Sequence, residues 1–281
     1  MLSYRHGFHA GNFADVLKHS LIALVIKALK QKDKPFVYID THAGAGKYSL
    51  KSEFAQKTGE YQQGVARFWG IENPPDELKD YLAAVRAENI SRELVRYPGS
   101  PQMVRRLVRL QDRLILSELH GTDFEALQQL FAGDKQVSVA KEDGLLRLEK
   151  KLPPVQRRGL ILIDPSYEVK AEYSQVVDAL STAHKRFSTG IYGLWYPVID
   201  RGNTERLMQR LKDTGIPKQL RIEHCIADDG TVRGMTGSGM LFINPPWQLA
   251  SQAQALLPWL NQTLADEHGH WKIEWQVPES A

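Results

Sequence analysis

Short apolar runs rich in β-branched and aromatic residues recur along the chain. Between them lie longer stretches in which apolar positions return every three or four residues. The runs at Phe36–Asp40, Leu114–Leu119, Val137–Lys141, Gly159–Asp164, Gly190–Tyr196, Gln219–Ile226 and Met240–Asn244 predict seven strands. Val16, Leu17, Ile22, Ile26 and Leu29 share one face of a helix predicted over Asp15–Lys30. Ser100-Pro101 reads as an N-cap followed by proline at the first helical position, opening a helix over Gln102–Arg109. Tyr173–Lys185 and Thr204–Asp213 read as crossover helices. Such alternation of strand and helix is the signature of an open, mostly parallel α/β sheet.

Seven strands narrow the class. A dinucleotide-binding sheet usually has six, all parallel, whereas the Rossmann-like class I methyltransferases add a reversed seventh. The expected fold is therefore α/β, a seven-stranded, mostly parallel sheet of that class. One interval is too long for it. Gly46 and Glu118 are 72 positions apart, whereas a glycine loop and the acid ending the next strand usually lie about 20 apart. An insertion over Lys47–Pro98 explains the excess. It holds helix-like pieces at Val65–Trp69 and Glu77–Glu88 and a turn signal at Asn73-Pro74-Pro75. The expected organisation is a Rossmann-like domain over 1–46 and 99–281, interrupted by a small helical subdomain over 47–98.

Composition adds exclusions. With 281 residues, 42% hydrophobic and 25% charged, the chain has enough apolar material for a real core and is not disordered. No apolar run reaches the ~18–20 residues of a membrane span, and the longest candidate is broken by Lys27. The first twelve residues lack the apolar core of a secretory signal. A single cysteine, Cys225, permits neither an internal disulfide nor a Cys-rich zinc site. A cytoplasmic protein is the expectation. The net charge of +3 permits nucleic-acid binding through a local patch without requiring it.

The candidate chemistry sits at strand ends. Asp40-Thr-His-Ala-Gly-Ala-Gly46 follows the first strand, and its glycines, Gly44 among them, allow a tight turn and a close approach to a ligand. Adenosylmethionine sites commonly carry an acid-xxx-G-x-G pattern of this kind, although an ordinary strand-to-helix turn reads the same way. Glu118, ending the second strand, is placed to accept both hydroxyls of a ribose. Asp143-Gly144, after the third, offers a carboxylate and an adjacent amide to an adenine ring. Either acid alone reads equally as a solvated loop residue; three such loops at successive strand ends are harder to dismiss.

The decisive segment is Gly159-Leu-Ile-Leu-Ile-Asp-Pro-Ser-Tyr167, an apolar strand ending in Asp-Pro-x-Tyr. It is similar to the D/N-P-P-Y/F/W motif of amino-methyltransferases. An exocyclic amine conjugated to a purine is a poor nucleophile. Asp164 and the Pro165 carbonyl would accept its two N–H bonds where charge develops, and Tyr167 would stack on the unstacked base. Asn244-Pro-Pro-Trp247 spells the motif better, but it ends the seventh strand, far from the crevice expected near the first and fourth. It reads as a strand terminator or a cleft wall. His6, His9, His19, His42 and His120 make no metal-ligand spacing, so no metal is expected. Arg105, Arg106, Arg109 and Arg113 read equally as a solvated helix face or as phosphate contacts.

Tyr4-Arg-His-Gly-Phe-His-Ala-Gly-Asn12, Ala14-Asp-Val-Leu-Lys-His19, Asp40–Gly46, Tyr97-Pro-Gly-Ser-Pro101, Arg158–Pro165 and Gly190-Ile-Tyr-Gly-Leu-Trp-Tyr-Pro197 together resemble the bacterial ribosomal large subunit methyltransferase J family. The resemblance runs over essentially the whole chain. It implies S-adenosylmethionine as cofactor and N6 of one adenine in 23S rRNA as target, with a helical insertion in a Rossmann-like domain. By position it implies cofactor contacts from His19, His42, Ser100, Glu118, Asp143 and Gly144, with Lys18 beside His19. Asp164 would be catalytic and Tyr4 would meet the base or RNA. The chain departs from the family motif at Ser166, where proline is expected; losing that ring leaves the loop less constrained. A DNA adenine-N6 methyltransferase and a non-catalytic RNA-binding relic of the fold are the alternatives. The expected partner is 23S rRNA, protein-free or in an early precursor, and the expected state is a monomer without membrane attachment.

Overall fold

The computed structural model describes residues 5–90, 93–231, 234–265 and 267–279; Tyr4 lies outside them. Helix α1 (Phe13–Lys30) begins where Asn12 caps it, its side chain accepting from the Asp15 amide at 2.9 Å. The helix is buried almost all round, including the polar Asp15, Lys18, His19 and Ser20. Strand β1 (Val37–Asp40) follows. Then β2 (Lys47–Ser49), α2 (Glu53–Thr58), α3 (Asp76–Ala87) and β3 (Arg96–Pro98) occupy the long interval. Strands β2 and β3 pair antiparallel with Lys47 opposite Pro98, so the ends of this segment meet in a two-stranded ribbon. Among its described residues the segment has no core of its own. Val65, Phe68, Leu78, Tyr81, Leu82 and Val85 join the same apolar cluster as Leu17 and Leu21 of α1.

The chain then alternates through α4 (Ser100–Leu107), β4 (Arg113–Glu118), α5 (Gly121–Leu130), β5 (Val137–Lys141), α6 (Gly144–Leu148), β6 (Gly159–Ile163), α7 (Glu172–Arg186), β7 (Ile191–Val198) and α8 (Arg201–Asp213). It ends with β8 (Gln219–Cys225), β9 (Gly237–Ile243), α9 (Leu249–Leu264) and β10 (His270–Val277). The main sheet has the order β10-β8-β9-β7-β6-β1-β4-β5. The five strands from β7 to β5 run parallel, and β9 is reversed between β7 and β8. One face is covered by α1, α3, α4 and α9, the other by α7 and α8 with their apolar partners. This is the Rossmann-like methyltransferase arrangement.

Two expectations need correction. The sheet has eight strands rather than seven, because β10 pairs antiparallel with β8 at the edge. Its sequence, HWKIEWQV, interleaves charges with half-exposed tryptophans, so no apolar run announces it. Ser100 is not a helix cap. Gly99, in extended conformation, occupies that position, and the Ser100 hydroxyl is drawn instead to the buried Asp40 carboxylate at 2.7 Å. Among the described residues, no helix is long and apolar enough to cross a membrane.

Candidate active site

A cavity of about 730 Å³ opens where α1 passes the C-terminal ends of β1, β4, β6 and β7. Parallel strands deliver their following loops to one edge, so loops distant in sequence converge there. Lys18, His19, His42, Gly44, Ser100, Glu118, Asp143, Gly144, Asp164 and Pro165 all line it. The structure thus brings together ten of the residues singled out from the sequence. Tyr167 is not among them. It takes a left-handed backbone (φ 55°), its hydroxyl donates to the Trp195 carbonyl at 2.8 Å, and its ring packs on Tyr173. The side chain is buried beneath the loop, where it props the Asp164 turn and is not presented to a base.

Around β1 the chemistry is tightly coupled. Asp40 is fully buried, accepting from the Tyr38 hydroxyl and the Ser100 hydroxyl, each at 2.7 Å. Burial pushes its pKa up to about 6 despite those bonds. Gly44 takes φ 59°, and a Cβ there would lie 2.3 Å from the Tyr48 hydroxyl, so glycine is required twice over. Its amide donates to Glu118 Oε2 at 2.7 Å, and the His120 amide to Oε1 at 2.7 Å. Burial nonetheless raises the Glu118 pKa above the ordinary range. Asp143 caps α6, Oδ1 accepting from the Leu145 and Leu146 amides at 3.0 and 3.1 Å. Gly144 abuts the Thr41 backbone, which a Cβ would strike at 2.2 Å.

On α1, Lys18 is only 4% exposed, and its Nζ donates to Asp164 Oδ2 at 2.7 Å while lying 3.0 Å from Asp15 Oδ1. It also sits 5.5 Å from the centre of the Trp195 ring. Burial pushes the Asp15 pKa up, but the neighbouring His6 and Lys18 charges overcome this and hold it well below the carboxylate range. His6 Nε2 lies 2.9 Å from Asp15 Oδ2. Sequence reasoning missed this chain from His6 through Asp15 and Lys18 to Asp164. Its available signal was a pair of opposite charges three apart in a largely apolar helix, which pays for burial only if the charges meet. His19 pairs through Nδ1 with the Tyr97 hydroxyl at 2.8 Å, and burial drives its pKa down to about 3. Its Nε2 is buried without a partner among the described residues. Burial also lowers the pKa of His42.

The arginine cluster resolves differently from a phosphate site. Arg105 meets Asp134 at 2.6 Å, Arg106 meets Glu88 at 2.7 Å and Arg109 meets Asp112 at 3.0 Å, while Arg113 donates to the Leu110 and Asp112 carbonyls. Among the described residues, no group of His, Cys, Asp and Glu could hold a metal ion.

Residues 33–277 match the family described as "Ribosomal RNA large subunit methyltransferase D, RlmJ". The chain belongs to this family. It is 52% identical over 280 residues to Ribosomal RNA large subunit methyltransferase J of Escherichia coli (strain K12), covering 99% of this chain and all of that one. It is 47% identical over 281 residues to the protein of the same name from Haemophilus influenzae, covering 99% of this chain and all of that one. A solved protein from Legionella pneumophila superposes with a TM-score of 0.89 at 38% identity, covering 95% of this chain and 98% of that one. Membership of this ribosomal RNA methyltransferase family implies S-adenosylmethionine as methyl donor. The cavity suits that group: two carboxylates, Glu118 and Asp143, end adjacent strands on its wall, and the buried Nε2 of His19 lacks a partner there.

Proposed function

We propose that this ribosomal RNA methyltransferase transfers a methyl group from S-adenosylmethionine to the exocyclic N6 of one adenine in 23S rRNA. The observation that carries the reading is the Lys18–Asp164 contact at 2.7 Å on the cavity wall. It fixes one carboxylate oxygen and leaves the other for substrate.

When bound, S-adenosylmethionine supplies an electrophilic methyl carbon. Glu118 would hold its ribose hydroxyls, and Asp143 with the Gly144 amide its adenine; His19, His42, Gly44 and Ser100 complete the wall. Lys18, assigned to the cofactor from sequence, is better read as the residue that positions Asp164. In the adenine, Asp164 and the Pro165 carbonyl accept the two N6–H bonds. Positive charge developing on nitrogen then falls beside a carboxylate already oriented before substrate arrives. Asp164 is also the nearest acceptor for the proton that N6 must lose. Tyr4 would meet the base or the RNA. Residues 47–98 form the inserted subdomain of this reading, the chain acts as a monomer in the cytoplasm, and protein-free 23S rRNA or an early precursor is the substrate.

Transfer of labelled methyl to protein-free 23S rRNA, followed by nucleoside analysis, tests the proposal. N6-methyladenosine at one site is the expected product. Cofactor binding without transfer to any RNA would leave a binding relic, the outcome that Ser166 in the motif keeps open. Preferential methylation of duplex DNA would redirect the reading to a DNA enzyme.

A further inference from the structure

Beside the cavity mouth, Phe8 and Phe54 meet edge to face with ring centres 4.8 Å apart. Phe54, on α2, is 44% exposed. A lone exposed phenylalanine needs no explanation. Here, however, the Arg5 guanidinium lies 5.9 Å from the Phe54 ring centre, and the Lys57 ammonium lies 5.9 Å from that of Phe8. Arg5 is partly countered by Asp123 at 3.6 Å, whereas no acidic partner faces Lys57 among the described residues. The cluster is firmly mounted: the Thr58 hydroxyl donates to the Phe8 carbonyl, and Glu60 binds both His9 and the Asn12 amide. It is also continuous with the cavity, whose wall includes His6, His9, Thr58, Gly59 and Glu60.

We propose that Phe54 and Phe8, with Arg5 and Lys57, form a stacking platform for an unpaired nucleotide adjacent to the target base. The inference rests on the RNA methyltransferase reading and adds to it a site outside the methyl-transfer pocket. An adenine drawn into the cavity leaves its neighbours unstacked. Exposed rings offer such a base a sequence-tolerant π-face, and interleaved cations meet the adjoining phosphates. The arginine cluster that begins on α4 cannot serve, since salt bridges to acids occupy Arg105, Arg106 and Arg109.

Steady-state methyl transfer to protein-free 23S rRNA tests the platform. Stacking on one aromatic side chain corresponds to a factor between roughly 5 and 150. Phe54→Ala should therefore raise the KM for RNA within that range, with kcat and S-adenosylmethionine affinity close to wild type. Phe54→Trp should restore the KM, and Phe54→Leu, apolar but without a π-face, should not. Lys57→Gln should lower the slope of log affinity against log salt by about 1. An unchanged KM in Phe54→Ala, or full rescue by leucine, would overturn the platform; an unchanged salt slope would remove Lys57 from it. Failure of the wild type to methylate any RNA would overturn the functional reading itself, a result separable from these.

Discussion

Two strands of the same sheet end in proline turns of nearly the same spelling, and they end on opposite edges. Strand β6 runs parallel to β7 and delivers Asp164, Pro165 and Ser166 to the cavity, where Lys18 engages the carboxylate. Strand β9 runs antiparallel to β7, so Asn244-Pro-Pro-Trp247 emerges where β7 begins. There the Asn244 amide donates to the Ser188 and Gly190 carbonyls at 2.7 and 2.8 Å, tying the turn to the start of β7, while Trp247 is left exposed. The lesson is that a motif's letters carry no chemistry until strand direction decides what surrounds them.

Substitution at the two turns should separate them most sharply. Asp164→Ala is expected to lower kcat by about 10²–10³-fold with calorimetric S-adenosylmethionine affinity retained. Asn244→Ala should keep wild-type turnover but lose about 1–2 kcal/mol of stability in urea, since two carbonyls lose their donor. Turnover retained in the first variant, or lost in the second, would invert the assignment.

Lys18 sharpens the contrast, because the β9 turn has no counterpart to it. Lys18→Gln leaves the Asp15 and Asp164 carboxylates without the ammonium that lies between them, and a fall of about 10²-fold in kcat is expected, with cofactor affinity within about twofold. Cofactor affinity that falls in step with kcat would return Lys18 to the cofactor site.

The pH dependence of stability tests the buried wall of the cavity. Folding keeps His19 neutral, whereas the unfolded chain binds a proton there below pH 6.5. Its contribution is therefore complete above pH 6.5 and lost as pH falls towards 3, on the order of 5 kcal/mol in all. Asp40 runs the other way: its raised pKa favours the protonated acid in the fold. That contribution is complete below pH 3.8 and lost as pH rises through about 6. On lowering the pH from 6 to 4, wild type should therefore lose more stability in urea than His19→Gln, which lacks the His19 contribution. Parallel profiles would show that the fold does not hold His19 neutral.

The smallest effect is expected at Ser166. Asp164 already has its orientation from Lys18, so Ser166→Pro, which completes the D/N-P-P-Y/F/W spelling, should change kcat by less than about threefold. A large gain would mean that loop rigidity, rather than the α1 contact, governs the position of Asp164.

Much of this protein was legible in its sequence. Apart from the half-exposed edge strand β5, the parallel strands are largely buried apolar runs between turn signals, a one-dimensional pattern, and the acids at their ends follow from the same arithmetic. The edge strand β10 was not legible, because half-exposed residues need not be apolar. The role of Ser100 was hidden because its hydroxyl answers a carboxylate 60 positions away, and that of Tyr167 because a single left-handed residue turns the ring inward.

By itself, then, the sequence determined the alternation of strands and helices, the glycine loop, and the acids that end β4 and β6, since each depends on residues close in the chain. Only the tertiary structure decided that Lys18 reaches across 146 positions to Asp164, that Arg105, Arg106 and Arg109 are already neutralised, and that one proline turn faces the cavity while the other faces away. Pairing of buried charges and the polarity of neighbouring strands are properties of distance in space, which local sequence does not encode.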